Sequence, residues 1–89
     1  MILIGIEDCP TCKVVKGLLV DVKYVELQRL KPGQRTEPEI FELKKILGKM
    51  NPEGKFPVII NDNLTKILKT NDILDNLQKQ KLENMLNQQ

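Results

Sequence analysis

The sequence has no histidine and no tryptophan, and its aromatic residues are one tyrosine and two phenylalanines. Few side chains are therefore available to stack on nucleic-acid bases. The formal net charge of +2 is too small to indicate a polyanionic partner or a charged membrane surface. No apolar run approaches the roughly 18 residues that a membrane-spanning helix needs. These absences argue against a nucleic-acid-binding protein and against a membrane protein.

Cysteine is also scarce, since Cys9 and Cys12 are the only two. Two thiols this close in sequence cannot link distant parts of a fold, and without histidine they supply half of a tetrahedral zinc site. Met1 leads into a short apolar stretch with no basic region and no small-residue cleavage site, so we expect no secretory signal. The pair therefore indicates redox or metal chemistry in a reducing compartment, which we expect to be the cytoplasm.

The length and composition are typical of one small globular domain. The 89 residues are 40% hydrophobic and 29% charged, which is enough apolar material for one modest core. We find no internal repeat and no linker-like segment. The sequence therefore predicts a single domain over residues 1–89, and we expect a monomer.

The cysteines lie where a predicted strand meets a predicted helix. Residues 2–6 form an apolar run typical of a central strand, in which Gly5 indicates close backbone approach near the site. The next 11 residues, 10–20, have a helical pattern, with Pro10 suited to the first turn. A helix N-terminus offers free N–H groups and a positive dipole end, and both stabilise a thiolate. This position predicts an activated thiol at Cys9.

The middle of the chain continues a βαβ pattern. Residues 22–27 read as a second strand parallel to the first, followed by a turn at Pro32-Gly33. Thr36 and Glu39 have the spacing of a capping box, which predicts Thr36 as the N-cap of a second helix. Gly48 is the expected end of that helix.

The last third predicts a hairpin and a final helix. Residues 56–60 read as a third strand and residues 64–69 as an antiparallel fourth. Residues 70–72 offer N-cap chemistry for a helix that the polar tail extends and frays. The predicted fold is α/β, with the order β-α-β-α-β-β-α and a four-stranded mixed sheet covered by helices on both faces.

The spacing of the two cysteines predicts dithiol chemistry. Cys9, at the helix start, is the expected nucleophile, and Cys12, within the first turn, is close enough to form a small-ring disulfide with it and to resolve a mixed disulfide. Three other interpretations stay open. They are a zinc site shared between two chains, an iron–sulfur cluster shared between two subunits, and two inert buried cysteines.

The chain resembles the glutaredoxin family of the thioredoxin-like superfamily over nearly its whole length. The resemblance is carried by Cys9-Pro10-Thr11-Cys12 after a short N-terminal strand, by Phe56-Pro57-Val58, and by Asn71-Asp72 at the start of the last helix. It implies the minimal glutaredoxin fold and a cis Pro57 beside the disulfide, with nearby backbone groups that pair with substrate. It also implies that Asn71-Asp72 hold the γ-glutamyl end of glutathione. The residues expected to bind substrate or glutathione are Pro10, Thr11, Lys13, Phe56, Pro57, Val58, Asn71 and Asp72.

The sequence departs from the family where charge near the thiol matters. Glu7 and Asp8 stand where the family usually has a lysine, and Thr11 replaces a frequent tyrosine. The predicted function is a thiol-disulfide oxidoreductase that reduces protein or glutathione mixed disulfides, with glutathione as co-substrate, no tightly bound cofactor and no metal. Two alternatives remain. One is a hydrogen donor that depends on thioredoxin reductase, for example to ribonucleotide reductase, and the other is a redox-inactive binding module with a thioredoxin fold.

Overall fold

A computed structural model describes residues 1–28, 33 and 35–87. Pro32 of the predicted turn and the last two residues of the tail lie outside these ranges. Over the described residues the chain forms four strands and four helices. They are β1 (Ile2–Ile6), α1 (Pro10–Leu18), β2 (Lys23–Leu27), α2 (Pro38–Met50), β3 (Val58–Ile60), β4 (Ile67–Leu68), α3 (Thr70–Asp75) and α4 (Lys79–Asn87).

The strands form one mixed sheet in the order β2-β1-β3-β4. β1 is parallel to β2 and antiparallel to β3, and β4 is antiparallel to β3. β1 thus has a neighbour on each side, as its unbroken apolar run predicts. The parallel β1–β2 pair and the mixed four-stranded sheet are both confirmed.

Both faces of the sheet are covered by helices, because consecutive residues of a strand point to opposite faces. Leu3 belongs to a buried cluster that includes residues of α1, α3 and α4, whereas Ile4 belongs to a second cluster with residues of α2. The helical partners in the two clusters are Val15, Ile73, Leu82 and Leu86 on one face and Leu43 and Leu47 on the other. The predicted arrangement of helices on both faces is confirmed.

The predicted ends of α2 are wrong at both termini. The N-cap is Glu37, not Thr36, and no side chain caps the helix. Pro38 explains the shift, since its fixed φ and missing N–H suit the first helical position. The N-cap is therefore Glu37, directly before the proline and one residue later than predicted. The helix also runs through Gly48 to Met50, and Asn51 ends it by donating its backbone N–H to the Leu47 carbonyl at 2.8 Å.

The fourth strand is shorter than the predicted range 64–69. The Asn61 side chain accepts hydrogen bonds from the backbone N–H groups of Thr65 and Lys66, at 2.8 and 3.0 Å. These bonds use the Thr65 and Lys66 N–H groups within the turn, and β4 is limited to Ile67–Leu68. The third strand is likewise shorter, because β3 starts at Val58, after the proline.

The predicted single C-terminal helix is wrong, because the chain forms two helices separated by residues 76–78. The Asn76 side chain donates to the Asp72 carbonyl at 3.1 Å, the acceptor that a continuing helix would pair with the Asn76 backbone. The Asn76 N–H donates instead to the Ile73 carbonyl at 3.1 Å, which closes a tighter turn. The element order therefore gains an eighth member, α4.

α4 packs on the sheet, where the sequence had predicted a frayed extension. Leu82 is 0% exposed and lies in the same cluster as Leu3. We expect Leu82→Ala to lower the free energy of unfolding by about 2–5 kcal/mol, because it removes a fully buried side chain. Leu74→Ala, at a residue 43% exposed, is the control and should change it by about 0.5 kcal/mol. Urea denaturation checks both, and equally small effects would contradict the packing of α4.

The helices are too short or too polar for a bilayer. In the described part of the chain, no helix has the length and apolarity that crossing a membrane requires.

Candidate active site

The two cysteines lie at the junction of β1 and α1. Asp8 turns the chain with a left-handed backbone, at φ 59°, and Cys9 returns to extended geometry as the N-cap of α1. Pro10 is the first helical residue, where a missing N–H costs no intrahelical bond. The predicted strand–helix position of the pair is confirmed, although α1 ends at Leu18, earlier than the predicted Val20.

The first turn of α1 holds the two sulfur atoms together. Cys9 and Cys12 lie at disulfide-bonding distance, with their Cα atoms 5.3 Å apart, within the usual range for a disulfide. The Cys12 backbone N–H donates to Cys9 Sγ at 3.2 Å. The side chain of Cys9 therefore caps the N-terminus of α1, as a serine or aspartate side chain does in other helices. In a reduced protein the same N–H and the helix dipole favour the ionised form of the Cys9 sulfur.

The two sulfur atoms differ in access. Cys9 is partly exposed, whereas Cys12 is 0% exposed and faces the sheet. Pro10, Thr11 and Lys13 surround the pair on the exposed side of the turn. A substrate in solution can therefore reach Cys9, and Cys12 can be reached only by the neighbouring sulfur.

Gly5 lies directly against the Cys12 side chain. A methyl group added at Gly5 would lie 2.5 Å from the Tyr24 hydroxyl, 2.9 Å from Cys12 Cβ and 3.1 Å from Cys12 Sγ. No ordinary side chain fits there, so the close approach expected at Gly5 is confirmed. The structure adds the identity of the neighbours, which are the buried cysteine and a tyrosine from the adjacent strand.

Sheet topology brings the segment Phe56-Pro57-Val58 to the same end of the sheet. β3 runs antiparallel to β1, and Val58 pairs with Ile4, so the residues before Val58 lie where β1 runs into the cysteine loop. The Phe56–Pro57 peptide bond is cis, as the resemblance implies. Val58 is fully buried, so only its backbone is available to a substrate, and Phe56 packs partly buried against the cluster on the α2 face.

The start of α3 also reaches this end, because β4 runs back antiparallel to β3. The hydroxyl of Thr70 donates to the Pro57 carbonyl at 2.8 Å and so joins the helix to the proline. Asn71 and Asp72 lie exposed in the first turn, and an Asp72 carboxylate oxygen accepts the Lys69 backbone N–H at 3.4 Å. The capping role expected of Asp72 is confirmed, with Lys69 rather than Thr70 as the N-cap.

An ion pair ties the loop before β3 to the start of α3. Lys69 Nζ lies 2.7 Å from a Glu53 carboxylate oxygen. The hydrogen bond from Lys69 lowers the pKa of Glu53 below its usual value. Both side chains are about half exposed, so this pair contributes little to stability, and its main effect is to direct the Lys69 charge toward Glu53.

The structure thus brings the predicted site residues to one end of the sheet. The cysteine turn carries Cys9, Pro10, Thr11, Cys12 and Lys13, the cis-proline segment carries Phe56, Pro57 and Val58, and the start of α3 carries Asn71 and Asp72.

Sequence reasoning missed two residues of this site, Tyr24 and Thr70. The sequence assigned Tyr24 only strand propensity and Thr70 only capping chemistry. One signal for Tyr24 was present, since a glycine in the middle of a central strand indicates that a neighbour occupies the missing side chain's place. The bond from Thr70 to Pro57 depends on how β3 and α3 meet, and no local pattern predicts it.

No group of three or more His, Cys, Asp or Glu side chains arranged to hold a metal ion occurs among residues 1–28, 33 and 35–87. Comparison of the chain with family models, with curated proteins and with solved structures finds no match.

Proposed function

We propose that this chain is a dithiol thiol-disulfide oxidoreductase of the glutaredoxin type, with a thioredoxin-like fold. The observation that carries the proposal is the hydrogen bond from the Cys12 backbone N–H to Cys9 Sγ, at 3.2 Å, at the N-terminus of a nine-residue helix. A partly exposed sulfur in that position suits a nucleophile, and a fully buried partner three residues later suits a resolving thiol.

The reaction needs only the two thiols and the substrate. The Cys9 thiolate attacks one sulfur of a substrate disulfide, its S–S bond breaks, and the departing sulfur leaves as a thiolate that takes up a proton. Cys12 then attacks Cys9 Sγ, the bond to the substrate breaks, and the second substrate sulfur leaves as a thiol. Two electrons pass from the dithiol to the substrate, and the Cys9–Cys12 disulfide remains.

The substrates we propose are protein disulfides and glutathione mixed disulfides. The segment Phe56-Pro57-Val58 supports this, since it lies at the same end of the sheet as the cysteine turn, where its backbone can pair with an extended peptide. Glutathione would act as co-substrate, with Asn71 and Asp72 at its γ-glutamyl end. No tightly bound cofactor is required, and a reducing compartment such as the cytoplasm suits the chemistry.

Thioredoxin reductase is the alternative electron donor. Glu7 and Asp8 directly precede Cys9, and their negative charges oppose the approach of glutathione's carboxylates. Lys69, a cation at this end of the sheet, is paired with Glu53. These charges are the reason to keep thioredoxin reductase as the alternative donor beside glutathione.

The titration of Cys9 tests the proposal. In the reduced protein we expect iodoacetamide to modify Cys9 with a pH midpoint below about 8.5, the value of an ordinary cysteine. Mass spectrometry locates the modified residue. A midpoint at the ordinary value, with sluggish alkylation, would contradict an activated thiol. Turnover with glutathione and its reductase, compared with thioredoxin reductase, then decides the donor.

A further inference from the structure

The Tyr24 hydroxyl lies next to Gly5, on the same side of the strand as the buried Cys12 side chain. It is 2.5 Å from the place where a Gly5 side chain would begin, and Cys12 Sγ is 3.1 Å from the same place. The hydroxyl oxygen and the sulfur are therefore separated by no more than the sum of those two distances. A rotation of the Tyr24 or Cys12 side chain that shortens this separation would allow the hydroxyl to donate to the sulfur.

The Tyr24 side chain is held in this position from two sides. Its ring packs against the cluster that contains Leu3, and Lys16 Nζ lies 4.6 Å from the ring centroid. The hydroxyl donates to a Glu26 carboxylate oxygen at 3.4 Å, which is long for a bond between two oxygen atoms. The hydroxyl is thus directed along the sheet toward the cysteine turn, and its present acceptor holds it weakly.

Tyr24 remains a hydrogen-bond donor at neutral pH. Burial raises the pKa of Tyr24 above its usual value, and the charge of Glu26 and the hydrogen bond to it act in the same direction. The other charged groups around the ring, Lys13 and Lys16, belong to α1 and line a groove beside Tyr24. β1 contributes no charged residue, and α3 and α4 contribute apolar side chains to this cluster.

Cys12 needs such a donor during the reaction. When Cys12 attacks the mixed disulfide on Cys9, negative charge develops on a sulfur that is 0% exposed and that water cannot solvate. The N–H groups at the start of α1 serve Cys9, since the Cys12 N–H donates to Cys9 Sγ. In the described residues, Tyr24 is the neutral side-chain donor that the structure brings next to Gly5, where the Cys12 side chain also lies.

We propose that the Tyr24 hydroxyl donates a hydrogen bond to the Cys12 thiolate and thereby accelerates the resolving step. This inference rests on the proposed dithiol function. Tyr24 keeps its own proton, and the proton that Cys12 loses is balanced by the one that the departing substrate thiolate takes up. Cys12 forms the bond to Cys9 Sγ as the bond from Cys9 to the substrate sulfur breaks. Tyr24 is a positioning residue for this step and leaves the first attack by Cys9 unaffected.

Stopped-flow absorbance with a chromogenic aryl disulfide separates the two steps. Reduced protein in excess releases one coloured thiolate when Cys9 attacks and a second when Cys12 resolves the mixed disulfide. In Tyr24→Phe, which keeps the ring and its contact with Lys16, we expect the first phase to stay within about twofold of wild type. We expect the second phase to slow about tenfold, the effect of losing one hydrogen bond to a charged atom, and its pH midpoint to rise.

Glu26→Gln is the matched control, since it changes the present acceptor and keeps the Tyr24 hydroxyl. Its second phase should equal or exceed that of wild type. If the second phase of Glu26→Gln is slowed as much as that of Tyr24→Phe, direct donation from the Tyr24 hydroxyl to the Cys12 sulfur is overturned. If both phases of Tyr24→Phe match those of wild type at every pH, the role of Tyr24 is overturned and the proposed dithiol function stands. Absence of the first phase in the wild-type protein would overturn the proposed function itself.

Discussion

Replacing Cys12 with serine is expected to stop the reaction at the mixed disulfide between substrate and Cys9. Cys9 keeps its partial exposure and its place at the start of α1, so the first attack proceeds. A serine hydroxyl is not ionised near neutral pH and cannot displace the substrate from Cys9 Sγ. Intact-protein mass spectrometry should show a covalent adduct that a reducing agent removes, and turnover that depends on resolution by Cys12 should fall more than about a thousandfold.

Cys9→Ser is the matched control for this experiment. It removes the nucleophile and leaves Cys12 buried at 0% exposure, so no adduct should form and activity should fall to background. If Cys12→Ser traps no adduct and Cys9→Ser keeps full function, the chain acts as a redox-inactive binding module instead. The pair of variants therefore separates two classes of function with one measurement.

Gly5→Ala is expected to lower the free energy of unfolding by about 1–3 kcal/mol, since it forces a methyl group into a filled space. The new methyl would lie 2.9 Å from Cys12 Cβ, which is fixed to the backbone of α1, and 2.5 Å from the Tyr24 hydroxyl. The Cys12 Cβ atom cannot move without the first turn of α1, and the Tyr24 hydroxyl must shift to make room for the methyl group. Urea denaturation of the reduced protein measures the loss.

Gly17→Ala is the control for the effect of a methyl group by itself. Gly17 lies inside α1 with nothing near its missing side chain, so alanine should stabilise the helix by about 0.5–1 kcal/mol. Opposite signs at the two positions would support the close contact at Gly5. Effects of the same sign and size would contradict it. Adding Tyr24→Phe to Gly5→Ala should recover part of the loss, because it removes one of the two close neighbours.

Much of the site could be predicted from the sequence because its signals are local. The apolar run of residues 2–6, the proline after Cys9 and the helical pattern that follows predict a strand–helix junction, and the structure has one. The parallel pairing of the first two strands follows from the handedness and length of a βαβ connection. The cis Pro57 came from a resemblance between short motifs, and the structure agrees at that bond.

Element ends were predicted less well, because they depend on competition between nearby groups. Thr36 and Glu39 match a capping box, yet Pro38 sets the start of α2. Asn76 reads as one more polar residue of a tail, yet its side chain takes the carbonyl that a continuing helix needs. At the start of α2 and at Asn76, two local sequence preferences compete, and the folded structure follows one of them.

By itself the sequence determined where the two thiols lie, three residues apart at the start of a helix that follows a buried strand. This much is local, since backbone geometry and the helix dipole act within one turn. Only the tertiary structure decided what surrounds the pair. Parallel pairing of β1 and β2 places Tyr24 beside Gly5 and Cys12, and the return of β4 joins Thr70 to Pro57. These contacts connect residues far apart in sequence, so they exist only when the core has packed.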